Sequence, residues 1–326
     1  MGNMLTISVA MCTYNGEKFL NEQLNSFLWQ TRLPDEIVIC DDGSHDNTID
    51  ILENFSARAP FPVKIYRNSL NLGYSKNFEK AGSLCSGDII AFSDQDDVWD
   101  QKKLEEFERI MIDNSEVGFI FCDAEAVDEE LNPLGYSFWD NSGLAKCFTI
   151  FSKGEFTNFF FMQYHCILGA TSAIRRSVYK SLVPIPPLWA YDEWVPFGSS
   201  VITKIAKVPY RFNKYRQHGN QCFGLNKIIE SKKMILLKFN YKLNRMLILK
   251  QEAKLLDGLL YLNRNNIIDY GIIENFYEFL CHFDNRARLP YNIIRRIRFV
   301  LNEIISGRYH KFSNGWRSAI RDLILF

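Results

Sequence analysis

The sequence predicts an α/β protein with a mostly parallel central sheet, followed by a C-terminal α-helical region. Short apolar runs alternate with amphipathic helical patterns in the first half of the 326-residue chain, which is the order expected of parallel strands joined by helices. Polar clusters follow three of these runs, and such sheets bind ligands beyond the carboxyl ends of their strands. Basic helical patterns begin near residue 226, so we expect two domains, residues 1–225 and residues 226–326.

The predicted strands and helices alternate regularly in the first half of the chain. Apolar runs bounded by turn-forming residues predict strands over 6–12, 36–40, 63–66, 88–92, 117–122 and 205–210. Apolar residues at helical spacing predict helices over 17–30, after a cap at Asp46 or Asn47, and from about Ser75. Residues 124–165 show no clear period, and residues 168–174 have the composition of a strand that leads into a turn.

Three carboxylates follow the fourth predicted strand within four residues: Asp94, Asp96 and Asp97. Adjacent acids repel one another unless a cation lies between them. Carboxylate oxygens suit Mg²⁺ or Mn²⁺, and Mg²⁺ is often shared with substrate phosphates. The cluster therefore predicts a divalent metal that holds a phosphorylated ligand. The alternative is a solvated acidic turn that caps a helix beginning near Gln101.

Two further polar clusters follow earlier strands, at residues 13–15 and at residues 41–42. Because the carboxyl ends of parallel strands meet at one edge of a sheet, we expect these clusters to converge with the acidic one. No Gly-x-Gly-x-x-Gly follows the first strand, and no Gly-x-x-x-x-Gly-Lys-Ser/Thr occurs anywhere. These two absences argue against the dinucleotide-binding fingerprint and the phosphate-binding loop of ATPases.

The charges are distributed unevenly although the net charge is zero. Residues 227–326 contain 18 basic and 9 acidic residues, whereas residues 1–226 contain 20 and 29. The basic part suggests an anionic neighbour, either a membrane surface or a phosphorylated substrate. Isoleucines and arginines alternate at helical spacing over 293–305, and apolar residues mix with lysines over 234–249. These basic amphipathic helices either pack on the main domain or attach to an anionic membrane face.

The eight cysteines form no Cys-x-x-Cys pair, which argues against a zinc knuckle. Several of them (Cys12, Cys40 and Cys122) lie in apolar strand-like runs, where a free thiol behaves as a small hydrophobe, so we expect a reducing, cytosolic compartment. The N-terminus lacks the apolar core of a signal peptide. The sequence contains no run of about 18 uncharged apolar residues, so we expect no membrane-spanning helix. We expect a cytoplasmic protein, with peripheral contact at the inner face of the plasma membrane as a further option.

Four segments resemble glycosyltransferase family 2 in their order and spacing: Ile7–Asn15, Asp41–Ser44, Asn71–Gly73 and Asp94–Asp97. Segments 93–99, 192–194 and 216–220 resemble those of bacterial rhamnosyltransferase-like members from polysaccharide-biosynthesis clusters. The resemblance covers about residues 5–224. It implies the GT-A fold, a nucleotide-sugar-binding α/β domain with a short acidic metal-binding motif.

The resemblance assigns five residues to the nucleotide. Thr13, Tyr14 and Asp42, with Asp41 as a further candidate, would hold the base, and Asp42 would accept from a ring N–H. Lys76 falls where relatives often have a basic residue that contacts the nucleotide or the diphosphate. The residues also allow simpler roles, because Tyr14 can pack on the first helix and Asp41 can serve its turn.

Five further residues receive roles in the chemistry. Asp94 would approach the ribose, Asp96 would coordinate Mg²⁺ or Mn²⁺, and Asp97 would support the metal or the donor sugar. Asp192 resembles the general base that activates the acceptor hydroxyl, and His218 falls where some relatives have a further metal ligand. The alternatives are a helix N-cap at Asp192 and a structural histidine at His218. Three aromatic side chains near Asp192 either stack on an acceptor sugar or fill the core: Trp189, Tyr191 and Trp194.

These roles imply an inverting sugar transfer from a dTDP- or UDP-linked donor, with dTDP-rhamnose as one candidate, to a hydroxyl group. The implied partners are the nucleotide-sugar and a glycan or lipid-linked saccharide, and no nucleic acid. The rival functions are a nucleotidyltransferase, which would need a glycine-rich basic loop after the first strand, and a catalytically silent scaffold. The C-terminal region could serve as a membrane-docking module, an oligomer interface or a lid over the acceptor.

Overall fold

The computed structural model describes residues 4–140, 147–155, 167–219, 221, 254, 256–265, 270–290, 292–313 and 315–324. The chain divides into two compact units. The first consists of residues 1–153 and 165–227, and the second of residues 154–164 and 228–326. The predicted helical pattern over 234–249 lies outside the described residues.

The first unit contains strands and helices in alternation. Its strands are β1 (Ile7–Thr13), β2 (Glu36–Asp41), β3 (Val63–Arg67), β4 (Ile89–Ser93), β5 (Val98–Trp99), β6 (Val117–Val127), β7 (Pro133–Ser137), β8 (Thr149–Phe151), β9 (Ser172–Arg175) and β10 (Lys204–Arg216). Its helices are α1 (Leu20–Leu28), α2 (Thr48–Arg58), α3 (Tyr74–Leu84), α4 (Lys103–Asp113), α5 (Arg176–Leu182) and α6 (Tyr191–Ile202).

The strands form one mixed sheet in the order β3-β2-β1-β4-β9-β6-β10-β5, with β7 paired to β6 and β8 to β10. Strands β1 to β4 are parallel, and β6 is parallel to β10. Strand β9 runs antiparallel between β4 and β6. The predicted fold class, a mostly parallel sheet with helices, is therefore confirmed.

The sheet core is apolar because helices cover the parallel strands. Every residue of β1 and β2 is buried, as expected for strands enclosed on both faces. Helix α1 contributes Leu20, Leu24 and Phe27 to the same core, at the spacing of one helix face. The register pairs Thr13 with Asp41 and Met11 with Ser93, so the carboxyl ends of β1, β2 and β4 lie level.

The described part of the second unit is helical. Its helices are α7 (Tyr270–Ala287), α8 (Ile293–Ile305), α9 (Arg308–Phe312) and α10 (Trp316–Ile324). Leu289, Val300, Tyr309 and Ala319 form its small apolar core. The C-terminal helical region predicted from the sequence is thus present, and α8 has the bounds that its apolar period indicates. None of the helices in the described ranges is long and apolar enough to cross a membrane.

A buried carboxylate ties the amino-terminal ends of the parallel strands together. Glu36, the first residue of β2, accepts hydrogen bonds from Ser8 Oγ (2.6 Å), Lys64 Nζ (2.6 Å), Ser86 N (2.6 Å) and Ser86 Oγ (2.8 Å). Burial opposes the charged form, but the hydrogen bonds from Lys64, Ser8 and Ser86 outweigh it and lower the pKa of Glu36 to about 2.

Replacing this carboxylate should weaken the fold in a pH-dependent way. We expect Glu36→Gln to lower the free energy of unfolding by about 2 kcal/mol near neutral pH. The folded-state pKa lies below the value of about 4.5 for an unperturbed Glu, so the stabilisation is present above that pH and is lost as the pH falls towards about 2. Urea unfolding at several pH values measures the difference, with the exposed Glu53→Gln as the matched control. A difference between Glu36→Gln and the natural chain that stayed constant into acid would contradict this role.

Candidate active site

A cavity of about 820 Å³ lies at the carboxyl ends of β1, β2 and β4. This volume is in the range of small-molecule sites. Its lining includes seven of the ten residues to which the resemblance assigns roles: Thr13, Tyr14, Asp42, Asp94, Asp96, Asp192 and His218. The lining does not include Asp41, Lys76 or Asp97. The level register of the strands and the start of α6 bring the seven together, although they span more than 200 positions of the sequence.

Asp42 organises one side of the cavity. Its Oδ1 accepts from Asn68 Nδ2 and from the backbone N–H of Leu72, each at 2.8 Å, and its Oδ2 accepts from the N–H of Gly73 at 2.9 Å. Gly73 has a φ of +78°, a conformation that favours glycine. The Asn71-Leu72-Gly73 segment is therefore folded onto the carboxylate of Asp42, which reaches the cavity with its orientation set.

Asp41 has a different task although it is the next residue. Its Oδ1 accepts from the backbone N–H groups of Gly43 (3.1 Å) and Ser44 (2.9 Å), and its Oδ2 accepts from Thr13 Oγ1 (2.9 Å) and from the Ser44 hydroxyl. The side chain is fully buried. Asp41 thus holds the turn after β2 and orients Thr13, which lines the cavity.

Tyr14 and Lys76 lie at the edges of this region. Tyr14 is 46% exposed, and its backbone is held by Gln95, whose amide accepts from Tyr14 N (2.8 Å) and donates to Tyr14 O (3.0 Å). The ring is therefore at the rim and not in the core. Lys76 donates to Glu79 Oε2 (2.6 Å) and to the carbonyl of Ile185 (3.1 Å). These partners hold its ammonium group, and Lys76 is not among the residues that line the cavity.

The acidic cluster after β4 divides into two members that line the cavity and one that is fully buried. Asp94 and Asp96 reach the cavity, while Asp97 is fully buried with its Oδ2 3.3 Å from Asn213 Nδ2. Burial and the charges of Asp96, Asp97 and Asp192 raise the pKa of Asp94 well above its usual range. Burial and the charge of Asp96 raise the pKa of Asp97 to about 7. The carboxylates are close enough to oppose one another's ionisation.

Asp96 and His218 meet in the cavity wall. His218 Nε2 lies 2.8 Å from Asp96 Oδ2, and the imidazole packs on Phe19 with ring centroids 4.8 Å apart. A carboxylate and an imidazole are both common metal ligands. Within the described ranges, no group of three or more His, Cys, Asp or Glu side chains is placed to hold a metal. Two protein ligands still fit an ion that is shared with substrate phosphates, as Mg²⁺ usually is.

Arg216 connects the parts of this wall, a role that the sequence did not indicate. The side chain is fully buried; its Nε donates to the carbonyl of Asp96 (2.9 Å), and its Nη2 donates to Glu22 Oε2 (2.5 Å). Its Nη1 donates to the carbonyl of Glu129, and its guanidinium lies 4.4 Å from the centre of the Phe19 ring. One side chain therefore fixes the backbone of Asp96 and the ring on which His218 packs.

Asp192 lies in the first turn of α6 and faces the cavity. The helix begins at Tyr191 with Ala190 as its N-cap, and Glu193 Oε2 accepts from Ala190 N at 3.3 Å. Glu193 therefore satisfies the helix end, and Asp192 is not its N-cap. Tyr191 stacks on Phe78 with ring centroids 4.0 Å apart, which anchors the start of the helix in the core.

The two tryptophans near Asp192 belong to the core. Trp194 is fully buried and donates from Nε1 to the carbonyl of Leu182 at 2.7 Å. Trp189 is also buried and stacks on Phe197 at 4.8 Å between ring centroids. Of the three aromatic residues in this segment, Tyr191 is the one in the cavity lining.

Comparison with known proteins identifies the family. The profile of "Glycosyl transferase family 2" matches residues 8–183, more than half of the chain. The chain is 28% identical over 222 residues to an uncharacterized glycosyltransferase of Nostoc sp., an alignment that covers 66% of each protein. It is 41% identical over 98 residues to the dTDP-rhamnosyl transferase RfbG of Shigella flexneri, covering 29% of this chain and 34% of RfbG.

Another relative is the UDP-Glc:alpha-D-GlcNAc-diphosphoundecaprenol beta-1,3-glucosyltransferase WfgD of Escherichia coli. It is 32% identical over 123 residues, covering 37% of this chain and 47% of WfgD. The S. aureus TarS 1-349 structure in complex with UDP-GlcNAc superposes with a TM-score of 0.55 at 16% identity, covering 98% of this chain and 89% of TarS 1-349. This likeness supports the fold. Because the family profile matches more than half of it, the chain belongs to glycosyl transferase family 2.

Proposed function

We propose that the chain transfers a sugar from a dTDP- or UDP-linked donor to a hydroxyl group of a glycan or lipid-linked saccharide, with inversion at the anomeric carbon. The observation that supports this function is the single cavity that gathers Asp42, the Asp96–His218 pair and Asp192. The donors named for RfbG and WfgD support a pyrimidine nucleotide, with dTDP-rhamnose as one candidate. We place the reaction in the biosynthesis of cell-surface polysaccharide.

The nucleotide base is proposed to lie between Tyr14, Thr13 and Asp42. The carboxylate of Asp42 is already oriented by three donors, and its Oδ2 accepts only one of them in the described structure. A carboxylate oxygen has more than one acceptor site, so Oδ2 can also accept the ring N–H of a pyrimidine. The exposed ring of Tyr14 offers a stacking surface at the rim.

Asp96 and His218 would hold Mg²⁺ or Mn²⁺ beside the diphosphate, and a cation there would relieve the mutual repulsion that raises the pKa of Asp94 and Asp97. When bound, the ion supplies positive charge against which the nucleoside diphosphate can leave. The residues of the chain set its position: Arg216 holds the backbone of Asp96, and Phe19 supports the ring of His218.

Asp192 is proposed to accept the proton of the acceptor hydroxyl during attack. It lies in the same cavity as Asp94, and the influence of its charge on the pKa of Asp94 indicates that the two carboxylates are near one another. A carboxylate in hydrogen-bond reach makes a hydroxyl a better nucleophile. One base on the face opposite the leaving group gives inversion, as in inverting glycosidases with the acceptor in place of water.

The assignment of Asp192 as the general base predicts a loss of turnover without a loss of nucleotide binding. Asp192→Asn should lower turnover by about 10²–10⁴-fold while the affinity for the nucleotide changes little, because the amide cannot take the proton. The rate of nucleotide release and calorimetric nucleotide binding measure the two effects. Glu193→Gln is the matched control, since this neighbouring carboxylate serves the helix end and should keep most of the activity. Turnover close to that of the natural chain in Asp192→Asn would refute the assignment.

The donor site predicts ligand-dependent stabilisation. UDP, dTDP and GDP are each added with Mn²⁺, Mg²⁺ or EDTA, and the thermal midpoint is recorded. A pyrimidine nucleotide with metal at about 100 times its Kd should raise the midpoint by about 2–4 °C, because a ligand that binds the folded state stabilises it. The shift should shrink in EDTA and in Asp96→Asn. If no nucleotide shifts the midpoint, the hypothesis of a catalytically silent scaffold replaces that of an enzyme.

Arg216 predicts a positioning effect on the metal. Arg216→Lys keeps the charge but cannot reach Asp96, Glu22 and Glu129 together, so we expect Mn²⁺ affinity in the presence of nucleotide to fall about 10–100-fold. Electron paramagnetic resonance titration of free Mn²⁺ measures this directly, and thermal unfolding reports any general loss of stability. The exposed Arg109→Lys is the matched control. Unchanged Mn²⁺ affinity in Arg216→Lys would show that this side chain serves the fold alone.

A further inference from the structure

Helix α8 of the second unit exposes its most apolar face. Ile294, Ile297, Leu301 and Ile305 are between 42% and 82% exposed. Their spacing of three and four residues places them along one stripe of the helix. An ordinary surface helix buries such a stripe and exposes its polar side. The orientation of α8 is therefore the reverse of the expected one.

Buried polar contacts explain this orientation. The opposite side of α8 carries Arg296 and Glu303, both buried. Glu303 accepts from Asn285 Nδ2 (2.8 Å) and Arg308 Nη1 (3.0 Å), and its Oε2 lies 2.6 Å from His282 Nδ1. Rolling the helix to bury the isoleucines would break this network and leave charged groups without partners in the interior. The outward apolar stripe is thus held in place by the core of the unit.

Helix α10 has a second exposed apolar stripe. Trp316, Ile320 and Ile324, which recur every four residues, are between 52% and 70% exposed. Helices α8 and α10 are in contact with one another. The two stripes therefore bring together seven large exposed apolar side chains on neighbouring helices. Concentrations of this kind indicate a surface that binds a partner.

The charges on these helices select the kind of partner. The exposed charged residues of α8 are Arg295 and Arg298, whereas its one acid, Glu303, is buried. On α10, Arg317 is exposed, and the acid Asp322 is paired with Arg286 at 2.5 Å. A surface that combines isoleucine, tryptophan and arginines that form no ion pair within the described residues complements an anionic lipid layer. A second copy of the same face would bring like charges together.

We propose that α8 and α10 bind the surface of an anionic membrane, with the apolar stripes at the boundary between headgroups and acyl chains and the arginines at the lipid phosphates. The isoleucines supply hydrophobic attachment, and the arginines make it depend on lipid charge. The proposal stands on the second unit alone and does not require the sugar-transfer chemistry of the first.

Vesicle flotation of the full chain tests the proposal. The vesicles contain phosphatidylcholine alone or equal parts of phosphatidylcholine and phosphatidylglycerol, at low and at high salt. The chain should float with the anionic vesicles at low salt and be partly released by high salt. Each of Arg295→Gln and Arg298→Gln should weaken partitioning about fivefold, since one cation near an anionic surface contributes that much. Ile294→Gln with Leu301→Gln should weaken it by about tenfold or more.

Two controls change the same chemistry elsewhere in the unit. Arg288→Gln removes an exposed arginine that is paired with Asp284, and Tyr277→Gln removes an exposed aromatic side chain of α7. Both should float like the natural chain. Asp192→Asn should float as well, so failure of the proposed sugar transfer and failure of the membrane proposal are separable. Far-ultraviolet circular dichroism checks that each variant is folded.

The proposal is overturned by any of three results. The first is no flotation of the natural chain with anionic vesicles. The second is flotation that ignores lipid charge and salt, and the third is equal flotation of the stripe variants and the natural chain. Self-association that disappears in Ile294→Gln with Leu301→Gln, in the absence of vesicle binding, would instead identify the stripe as an interface between copies.

Discussion

Crowding of negative charge at one edge of the sheet is the constraint on which the rest of the first unit depends. Carboxylates from the end of β4 and the start of α6 face one cavity, and burial with mutual repulsion raises the pKa of Asp94 and Asp97. A buried lysine lies close enough to interact with two of them. Lys103 is buried beneath the cluster and donates to the carbonyl of Ala170 at 2.6 Å. Burial lowers the pKa of Lys103 to about 7, although Asp97 and Asp94 act against that shift.

The amino ends of the parallel strands serve stability, and their carboxyl ends serve binding. At the amino ends, Glu36 accepts hydrogen bonds from three other segments and is not in the cavity lining. At the carboxyl ends, Asp41 is saturated by its turn, whereas Asp42 is oriented by the loop and still reaches the cavity. A carboxylate with every acceptor site used can only hold the fold. One with a free acceptor site can also bind a ligand, and Asp42 is of this kind.

Local pattern predicted the first four strands to within one or two residues, because a buried parallel strand is an uninterrupted apolar run. It predicted less of β10, which extends from Lys204 to Arg216. Charged residues at Lys204, Lys207, Arg211 and Lys214 interrupt the apolar pattern, yet pairing with β6 and β5 carries the strand on to the site. That extension places Arg216 behind Asp96, a contact between residues 120 positions apart that no local pattern reveals.

The sequence by itself determined the family, the class of fold and the set of polar residues that follow the parallel strands, because strand periodicity and motif spacing depend on near neighbours in the chain. Only the tertiary structure decided which of those residues face the cavity. Asp192 and Asp42 do, while Lys76 turns to Glu79. It also decided that α8 turns its apolar stripe outward. Both outcomes depend on partners distant in sequence, whose buried hydrogen bonds outweigh the local preference of a helix or strand for one face.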